Sequence, residues 1–502
     1  MTGQSQNPWP ARAALTAATL AFAWGLARLA AHAAFAFGYP YDLDYGEGVV
    51  WQQMRYILAG HGYAPLQAFP AFVFEYPPVY PLVTAGTARV FGLDELYAGR
   101  LVSFVATAIC ALLIALLTAR AIPPDQPRRI RRAAAAFAAL AFVTLPVVLT
   151  WALLMRIDML ACAITLAGMA LAAASIRRPK LAIAAGIAFA AALYTRQTNL
   201  PAPAAAFLVL VFANRRAAWT MLAAAIVSGG IALAILEAMS GGYFLVNILF
   251  YNINRIVWAH ATMLGAVLLA SIVTLALGTI GLVAASKSLG WRTLRERLPT
   301  DPNLVTLALV VLTLALKTLM LPAILKSGAS DNYLIDWFSG IAVLIGIAVV
   351  PLLRAATRLP ARPSLLLLAL VGLGIAVQMS DPPLTPDTAK AACDRPALDA
   401  IVARIRASPK PVITDDMVLL LRAGQPILWE PAIVAELGGA GVYDERALAA
   451  RVRRGDFGFF VTRGDRGRTL YDQRFNPVVA DAIDAAYPRR EQAGDLTLHL
   501  PR

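Results

Sequence analysis

The sequence predicts a mainly α, polytopic membrane protein of about eleven transmembrane helices, with a small α/β domain at its C-terminal end. Three observations carry this. Of 502 residues, 59% are hydrophobic and only 15% are charged, against roughly a quarter in soluble domains. Apolar runs long enough to cross a bilayer recur through the first 380 positions, each spanning about 17–25 residues. Beyond position 380 the long apolar runs stop and charge becomes dense.

The formal net charge of +14 is not the footprint of a nucleic-acid binder. Of the 44 basic and 30 acidic residues, 17 of each fall within 381–502, so the whole excess belongs to residues 1–380. There it reads as membrane topology. The three cysteines, Cys110, Cys162 and Cys393, are too few and too scattered for a disulfide framework or a zinc cluster. Small residues near Ala34 mimic a signal-peptidase site. The apolar stretch before them is long and interrupted by Arg28, so an uncleaved first helix is expected.

The expected spans are 13–37, 99–119, 133–151, 158–175, 181–195, 199–213, 217–238, 262–285, 303–322, 333–352 and 363–380. Residues 181–213 read equally as two short helices or one long kinked one. Arginine and lysine gather in alternate loops, at Arg120–Arg132, Arg177–Lys180, Arg215–Arg216, Lys287–Arg297 and Arg354–Arg362. The positive-inside rule then places the N-terminus in the cytoplasm, and an odd number of crossings places the C-terminal domain outside. Of the acids in residues 1–380, only Asp125, Glu296 and Asp301 fall on the arginine-rich side. A protein whose acids collect on one face is expected to work there.

The first outer loop, 38–98, is the longest. Its residues 46–60 have helical periodicity with an apolar face, which suggests a helix lying in the membrane interface and ending at Gly60. Phe74-Glu75-Tyr76-Pro77-Pro78-Val79-Tyr80-Pro81 reads as a rigid extended segment, because proline removes backbone donors. The tail begins with a linker over 381–395. Strands are expected at 411–414, 457–462 and 495–500, and helices at 396–407 and 416–423. There is no internal repeat.

Chemistry concentrates on the outer side. Asp42, Asp44 and Glu47 follow the first span. A carboxylate at a partly dehydrated interface has a raised pKa and serves as a general base for a hydroxyl; the same acids also suit the N-terminus of the helix that follows. Arg156-Ile157-Asp158 opens the fourth span, and Thr195-Arg196-Gln197-Thr198-Asn199 separates two apolar stretches. Arginine forks suit phosphate. The equally ordinary alternatives are a headgroup anchor and a polar turn. Tyr251-Asn252-Ile253-Asn254-Arg255, His260, Lys326 and Asp331-Asn332-Tyr333 add hydroxyls, amides and rings suited to sugars. Glu75 is a candidate to orient substrate or to bind a divalent metal, although one carboxylate makes no metal site. The tail offers Thr414-Asp415-Asp416 but no nucleophile–base pair and no phosphate-loop glycines.

In order and sidedness, the acidic motif, the interfacial helix, Phe74-Glu75-Tyr76-Pro77-Pro78, Arg156-Ile157-Asp158-Met159-Leu160, Thr195-Arg196-Gln197-Thr198 and Asn332-Tyr333 resemble those of the GT-C glycosyltransferases that use polyprenyl-phosphate sugars. The likeness is to the clan of the protein O-mannosyltransferases and the lipid A aminoarabinose transferase. It implies a GT-C membrane module over residues 1–380 and a periplasmic α/β domain over 381–502, in a bacterial inner membrane. It implies an aspartate base in the first loop, Asp44, and a supporting acid at the fourth span, Asp158. The clan commonly shows adjacent acids, whereas this chain shows Asp-x-Asp-x-x-Glu. Register sets Glu47 opposite one of the paired acids, so the base stays open between Asp44 and Glu47. Arg196 stands where the clan often has lysine.

The expected reaction is transfer of a sugar, with inversion, from a polyprenyl-phosphate donor to a glycan, lipid or protein hydroxyl. Arg196, with Arg156 or Arg255, would bind the donor phosphate. Asp42, Glu75, Tyr76, Gln197, Asn252, Asn254, His260, Asn332 and Tyr333 would line the substrate site. No cofactor is required; a divalent metal has its candidate in Glu75. The rival expectations are a flippase of lipid-linked sugars, which the lack of paired halves disfavours, and a non-catalytic envelope assembly protein.

Overall fold

The computed structural model describes residues 9–67, 69–252, 254–290, 292–358 and 388–502. Its helices in chain order are α1 (Trp9–Gly38), α2 (Tyr45–Leu58), α3 (Val79–Phe91), α4 (Glu95–Ala121), α5 (Arg128–Val143), α6 (Pro146–Trp151), α7 (Asp158–Ser175), α8 (Leu181–Leu193), α9 (Pro201–Ala213), α10 (Arg215–Ser240), α11 (Ala259–Ala270), α12 (Ile272–Leu289), α13 (Leu294–Arg297), α14 (Pro302–Leu319) and α15 (Ile335–Arg358). Seven described helices are long and apolar enough to cross a membrane, and α8, α9 and α11 are shorter apolar helices. The chain is a multi-span membrane protein. The expected span 363–380 and the start of the expected linker, 381–387, lie outside the described residues.

Several expected spans are broken where the local chemistry requires it. The 133–151 span divides into α5 and α6 because Pro146 can neither donate to the ladder nor tolerate a helical residue before it. The 181–213 stretch is two short helices, with the second restarting at Pro201, where a missing N–H costs nothing. The 262–285 span is divided at Ser271. Helix α3 was not expected. The extended strap ends at Pro78, and Pro81 falls in the first helical turn, where its missing donor has no intrahelical partner to lose.

The C-terminal unit contains a four-stranded sheet in the order β1-β2-β4-β3, from β1 (Ile413–Thr414), β2 (Phe460–Arg463), β3 (Arg489–Ala493) and β4 (Leu496–Leu500). Strands β1 and β2 are parallel; β4 runs antiparallel to β2 and forms a hairpin with β3. All of β4 is buried, while β3 is polar and exposed. The expected linker is helical from residue 388 as part of Thr388–Ala407.

This unit packs directly on the first loop. Ala71 donates its N–H to the Leu428 carbonyl and accepts from Glu430 N, at 2.7 and 3.0 Å. Ile427 N donates to Gln52 Oε1 at 3.0 Å. One apolar cluster includes Val49, Trp51 and Met54 of α2 together with Val418, Leu419 and Leu420 of the tail. Helix α2 is therefore buried from Gly46 to Met54 by the protein itself. Gly48 permits the contact, since a Cβ there would lie 2.8 Å from the Met417 Cβ.

A buried ion pair ties these parts together. Arg100 of α4 and Glu47 of α2 are 1% and 0% exposed and meet through two hydrogen bonds of 2.9 and 2.8 Å. Arg100 also donates to the carbonyls of Ala36, Tyr39 and Tyr41. Glu47 also accepts from Leu43 N and Met155 N, both at 2.7 Å. A charge pair taken out of water is tolerated only when its remaining valences are met in this way.

Removing one partner leaves the other buried and uncompensated. Arg100→Ala is expected to cost about 3–5 kcal/mol, whereas Arg55→Ala, whose pair with Glu95 is half exposed, should cost under about 1 kcal/mol. Thermal unfolding of detergent-solubilised protein, followed by size-exclusion, compares the two.

Candidate active site

A cavity of about 590 Å³ opens where the first loop, the starts of α7 and α9, the 252–254 and 326–333 segments and the C-terminal unit meet. Residues far apart in sequence reach it because each lies at a helix end. Asp158 is the first residue of α7, where the helix dipole favours a negative charge. Arg196 and Gln197 occupy the break between α8 and α9, and Asn332 and Tyr333 the short turn before α15. Glu75 and Tyr76 come from the strap preceding α3.

One wall is a continuous chain of charges. Arg156 Nη1 donates to Asp44 Oδ1 at 2.9 Å, and its Nη2 donates to the Tyr76 hydroxyl at 3.3 Å. The Arg156 guanidinium lies over the rings of Tyr76 and Trp151. Its Nε is 4.0 Å from Asp158 Oδ2. Asp158 Oδ1 pairs with Arg196 at 3.0 Å and accepts from Asn332 Nδ2 at 2.9 Å. Arg196 in turn stacks over Tyr333, 4.7 Å from the ring centroid. Gly46 makes the chain fit: a Cβ there would fall 1.2 Å from Arg156 Nη1.

Four buried polar atoms along this cavity, Arg156 Nε, Asp158 Oδ2, Gln197 Oε1 and Asn332 Oδ1, have no hydrogen-bond partner among the described residues. Buried polar groups are seldom left so, and their clustering on one cavity marks it as a place where polar matter binds. The amides Gln197 and Asn252 also clamp the backbone, both donating to the Glu75 carbonyl at 3.1 Å. Asn254 donates to Ser327 O at 2.7 Å. Lys326 is an exposed cation on the cavity wall.

Asp44 caps α2 through Gly46 N at 3.0 Å, using the same Oδ1 that meets Arg156. No described residue holds its Oδ2. Burial raises the pKa of its carboxyl above the ordinary range, and Arg156 opposes this without reversing it. Burial and the neighbouring Glu430 push Glu75 up to about 7, against the pull of Arg156. Burial also disfavours the Arg156 charge, but Tyr76, Asp44, Asp158 and Glu75 more than offset this.

Asp44 does not itself line this cavity and meets it through Arg156, and four further expected site residues lie elsewhere. Glu47 does not line the cavity; both its oxygens are engaged by Arg100 and backbone donors. Asp42 turns to a second cavity, beside Asp416 and 4.0 Å from Arg463. Arg255 stands outside on the surface, paired with Glu436 at 3.3 Å. His260 bonds the Ile324 carbonyl within its own loop pairing. In each case a nearer partner claims the side chain.

The sequence reading missed Tyr45, Glu430 and Arg474. Tyr45 and Arg474 stack at 4.2 Å, and the Tyr45 hydroxyl donates to Glu430. Glu430 caps the helix Pro431–Gly439 through Ala432 N and Ile433 N. An acid before proline signals that cap, but nothing local says that the cap faces a membrane domain. Among the described residues, no group of three or more His, Cys, Asp or Glu is placed to hold a metal ion.

The model of the dolichyl-phosphate-mannose-protein mannosyltransferase family matches residues 75–240. No curated protein matches the chain in sequence. The fold is similar to the crystal structure of apo ArnT from Cupriavidus metallidurans, with a TM-score of 0.61 at 14% identity over 95% of this chain and 97% of that one. It is equally similar to the same protein bound to undecaprenyl phosphate, with a TM-score of 0.60 at 15% identity over 96% and 97%. The fold is therefore similar to that of ArnT over nearly the whole of both chains.

Proposed function

We propose that the protein transfers a sugar from a polyprenyl-phosphate donor to an acceptor hydroxyl, with inversion, on the periplasmic face of a bacterial inner membrane. The observation that carries this is the chain Arg156–Asp158–Arg196–Tyr333 on one cavity, with Asp44 bound to Arg156 at its edge. A likeness of fold to a protein crystallised with undecaprenyl phosphate supports the donor class. The cavity rim includes Leu200 and Leu249, exposed apolar side chains suited to a lipid tail leaving toward the bilayer. The arginine-rich loops support a cytoplasmic N-terminus. In this reading residues 1–380 form the transferase module and 381–502 a periplasmic domain that closes the site.

The donor phosphate takes the cationic side of the cavity, against Arg196, Arg156 and Lys326. These charges stabilise the phosphate as it leaves with the electron pair of the anomeric C–O bond. The acceptor oxygen attacks the anomeric carbon from the opposite side, and its proton passes to Asp44 Oδ2. Oδ1 stays held by Arg156 and Gly46, so the base is oriented without its second oxygen being consumed. Asp158 touches both arginines and fixes their spacing. Glu47 serves the frame of the site and not proton transfer. The chemistry requires no cofactor, and a divalent ion at Glu75 would have to be held by that carboxylate with Glu430.

Transfer of radiolabelled sugar from a lipid-phosphate donor by the purified protein is the direct test. Asp44→Asn should lower turnover by about 100- to 10,000-fold, and Arg196→Ala by about 100- to 1,000-fold, both with normal folding. Near-normal turnover in Asp44→Asn would remove it as the base. Gly46→Ala should fold but displace the Arg156 guanidinium and reduce transfer.

Two pH effects follow in sign. Because the Asp44 pKa is raised, the acid limb of kcat/KM should lie above the ordinary aspartate value of about 4. Glu75 is raised from 4.5 to about 7 in the folded protein. The folded state then holds the extra proton across that window, and stability declines as pH rises through it. Glu75→Gln should abolish that decline, read as the difference in melting temperature between pH 5 and pH 8 as roughly chosen ends of the window.

A further inference from the structure

A second cavity, of about 370 Å³, lies on the other side of Asp44. Its walls are the 39–45 segment of the first loop and the C-terminal unit: the helix Thr388–Ala407, Asp416, Arg463 and the β3–β4 turn. Tyr45, Leu470 and Arg474 line both cavities and form the partition between them. Asp44 stands at this partition. It lines the second cavity while holding Arg156, which lines the first. Among the described residues, none of the lining of the second cavity comes from the spans after α1, in contrast to the first cavity with its Leu200, Leu249 and Met320.

The two cavities differ in the balance of their charges: Arg156, Arg196, Lys326 and Arg474 are matched by Glu75, Asp158, Glu430 and Glu436 in the first, whereas acids outnumber cations in the second. In the second, each cation is already held by an aspartate: Lys390 by Asp495, Arg463 by Asp416 at 3.0 Å, and Arg474 by Asp415 at 3.1 Å. Asp42, Asp44 and Asp394 add further acids to the lining. A phosphorylated ligand would find no uncommitted cation there and several like charges. Neutral hydroxyl groups would find acceptors in the carboxylates and a ring face in Tyr39, with Leu398 and Leu496 as the apolar floor. Burial, and then the facing charge of Asp416, raise the pKa of the Asp42 carboxyl.

We propose that this second cavity is the acceptor subsite and that it takes a neutral, polyhydroxylated acceptor, a glycan end, arriving from the aqueous side. The proposal rests on the reading of the protein as a glycosyltransferase with Asp44 as base. It makes the partition functional: the donor occupies the first cavity, with Arg156, Arg196 and Lys326, the acceptor the more acidic second one, and Asp44 lies between them. The acceptor oxygen forms its bond to the anomeric carbon, its proton goes to Asp44, and the polyprenyl phosphate leaves with the electron pair of the broken bond.

The test uses the full chain in nanodiscs and saturation-transfer NMR, with methyl α-mannopyranoside and methyl β-galactopyranoside as neutral probes and mannose 6-phosphate as the charged one. A neutral glycoside should bind at least about tenfold more tightly than the phosphate ester. Ala397→Trp, on the cavity wall, should abolish that signal, whereas Ala392→Trp, exposed on the same helix and outside the lining, should keep it. Binding that is equal in Ala397→Trp and the wild type, or a preference for mannose 6-phosphate, overturns the proposal. So does the absence of glycoside binding by a protein that still releases polyprenyl phosphate from its donor, a result that leaves the transferase reading standing. Glycoside binding lost in Ala397→Trp, by a protein that never turns over a lipid-phosphate sugar, keeps the saccharide site and defeats the transferase reading.

Discussion

The site depends on one buried ion pair that belongs to no cavity. Arg100 and Glu47 sit in protein, away from water, and between them satisfy three carbonyls at the end of α1 and two amides of loops. One of those amides is Met155, whose neighbour is Arg156; Glu47 itself lies one helical turn beyond Asp44. The partners of the Asp44–Arg156 pair are thus both anchored to the same knot. In a low-dielectric surrounding such a knot admits few alternative geometries, because any shift strands a charge or a backbone dipole. That is how a loop between membrane helices can hold a carboxylate in a set position.

The charges around the site are arranged by function of the neighbour rather than by sign alone. Arg156 and Arg196 are each paired to an aspartate, yet both keep N–H groups on the cavity, and Asp158 is shared between them. Arg156, Arg196, Lys326 and Arg474 on that cavity face an equal number of acids, Glu75, Asp158, Glu430 and Glu436. On the other side of Asp44 the acids prevail: the cations are matched one to one and aspartates remain over. Asp44 therefore stands at a boundary between two differently charged linings, one holding Arg156 and Arg196 and the other richer in aspartates.

The C-terminal unit contributes walls to both cavities through Glu430, Leu470 and Arg474 and through the helix Thr388–Ala407. Its contacts with the first loop are backbone hydrogen bonds and a shared apolar cluster, and Gly48 is present because the helix Met417–Arg422 comes too close for a side chain. The glycines of Tyr45-Gly46-Glu47-Gly48 thus have separate reasons: one clears Arg156, the other the tail.

The sequence alone determined the class of the molecule, since lipid permits only long apolar helices and excludes clustered charge. It also singled out Asp44, Arg156, Asp158, Arg196, Asn332 and Tyr333, because polar residues at the ends of apolar runs stand out against their surroundings. It could not separate Asp44 from Glu47, which are three residues apart and chemically alike. Their fates were decided by Arg100, more than fifty positions away, which claims one and leaves the other. Asp42, Arg255 and His260 lie off the first cavity for the same reason, each being taken by a partner that spacing does not reveal. The tail's share of the site was invisible, because a cap residue such as Glu430 looks the same whether it faces water or a membrane domain. Composition is local and additive; which charge finds which partner is a property of the packed chain.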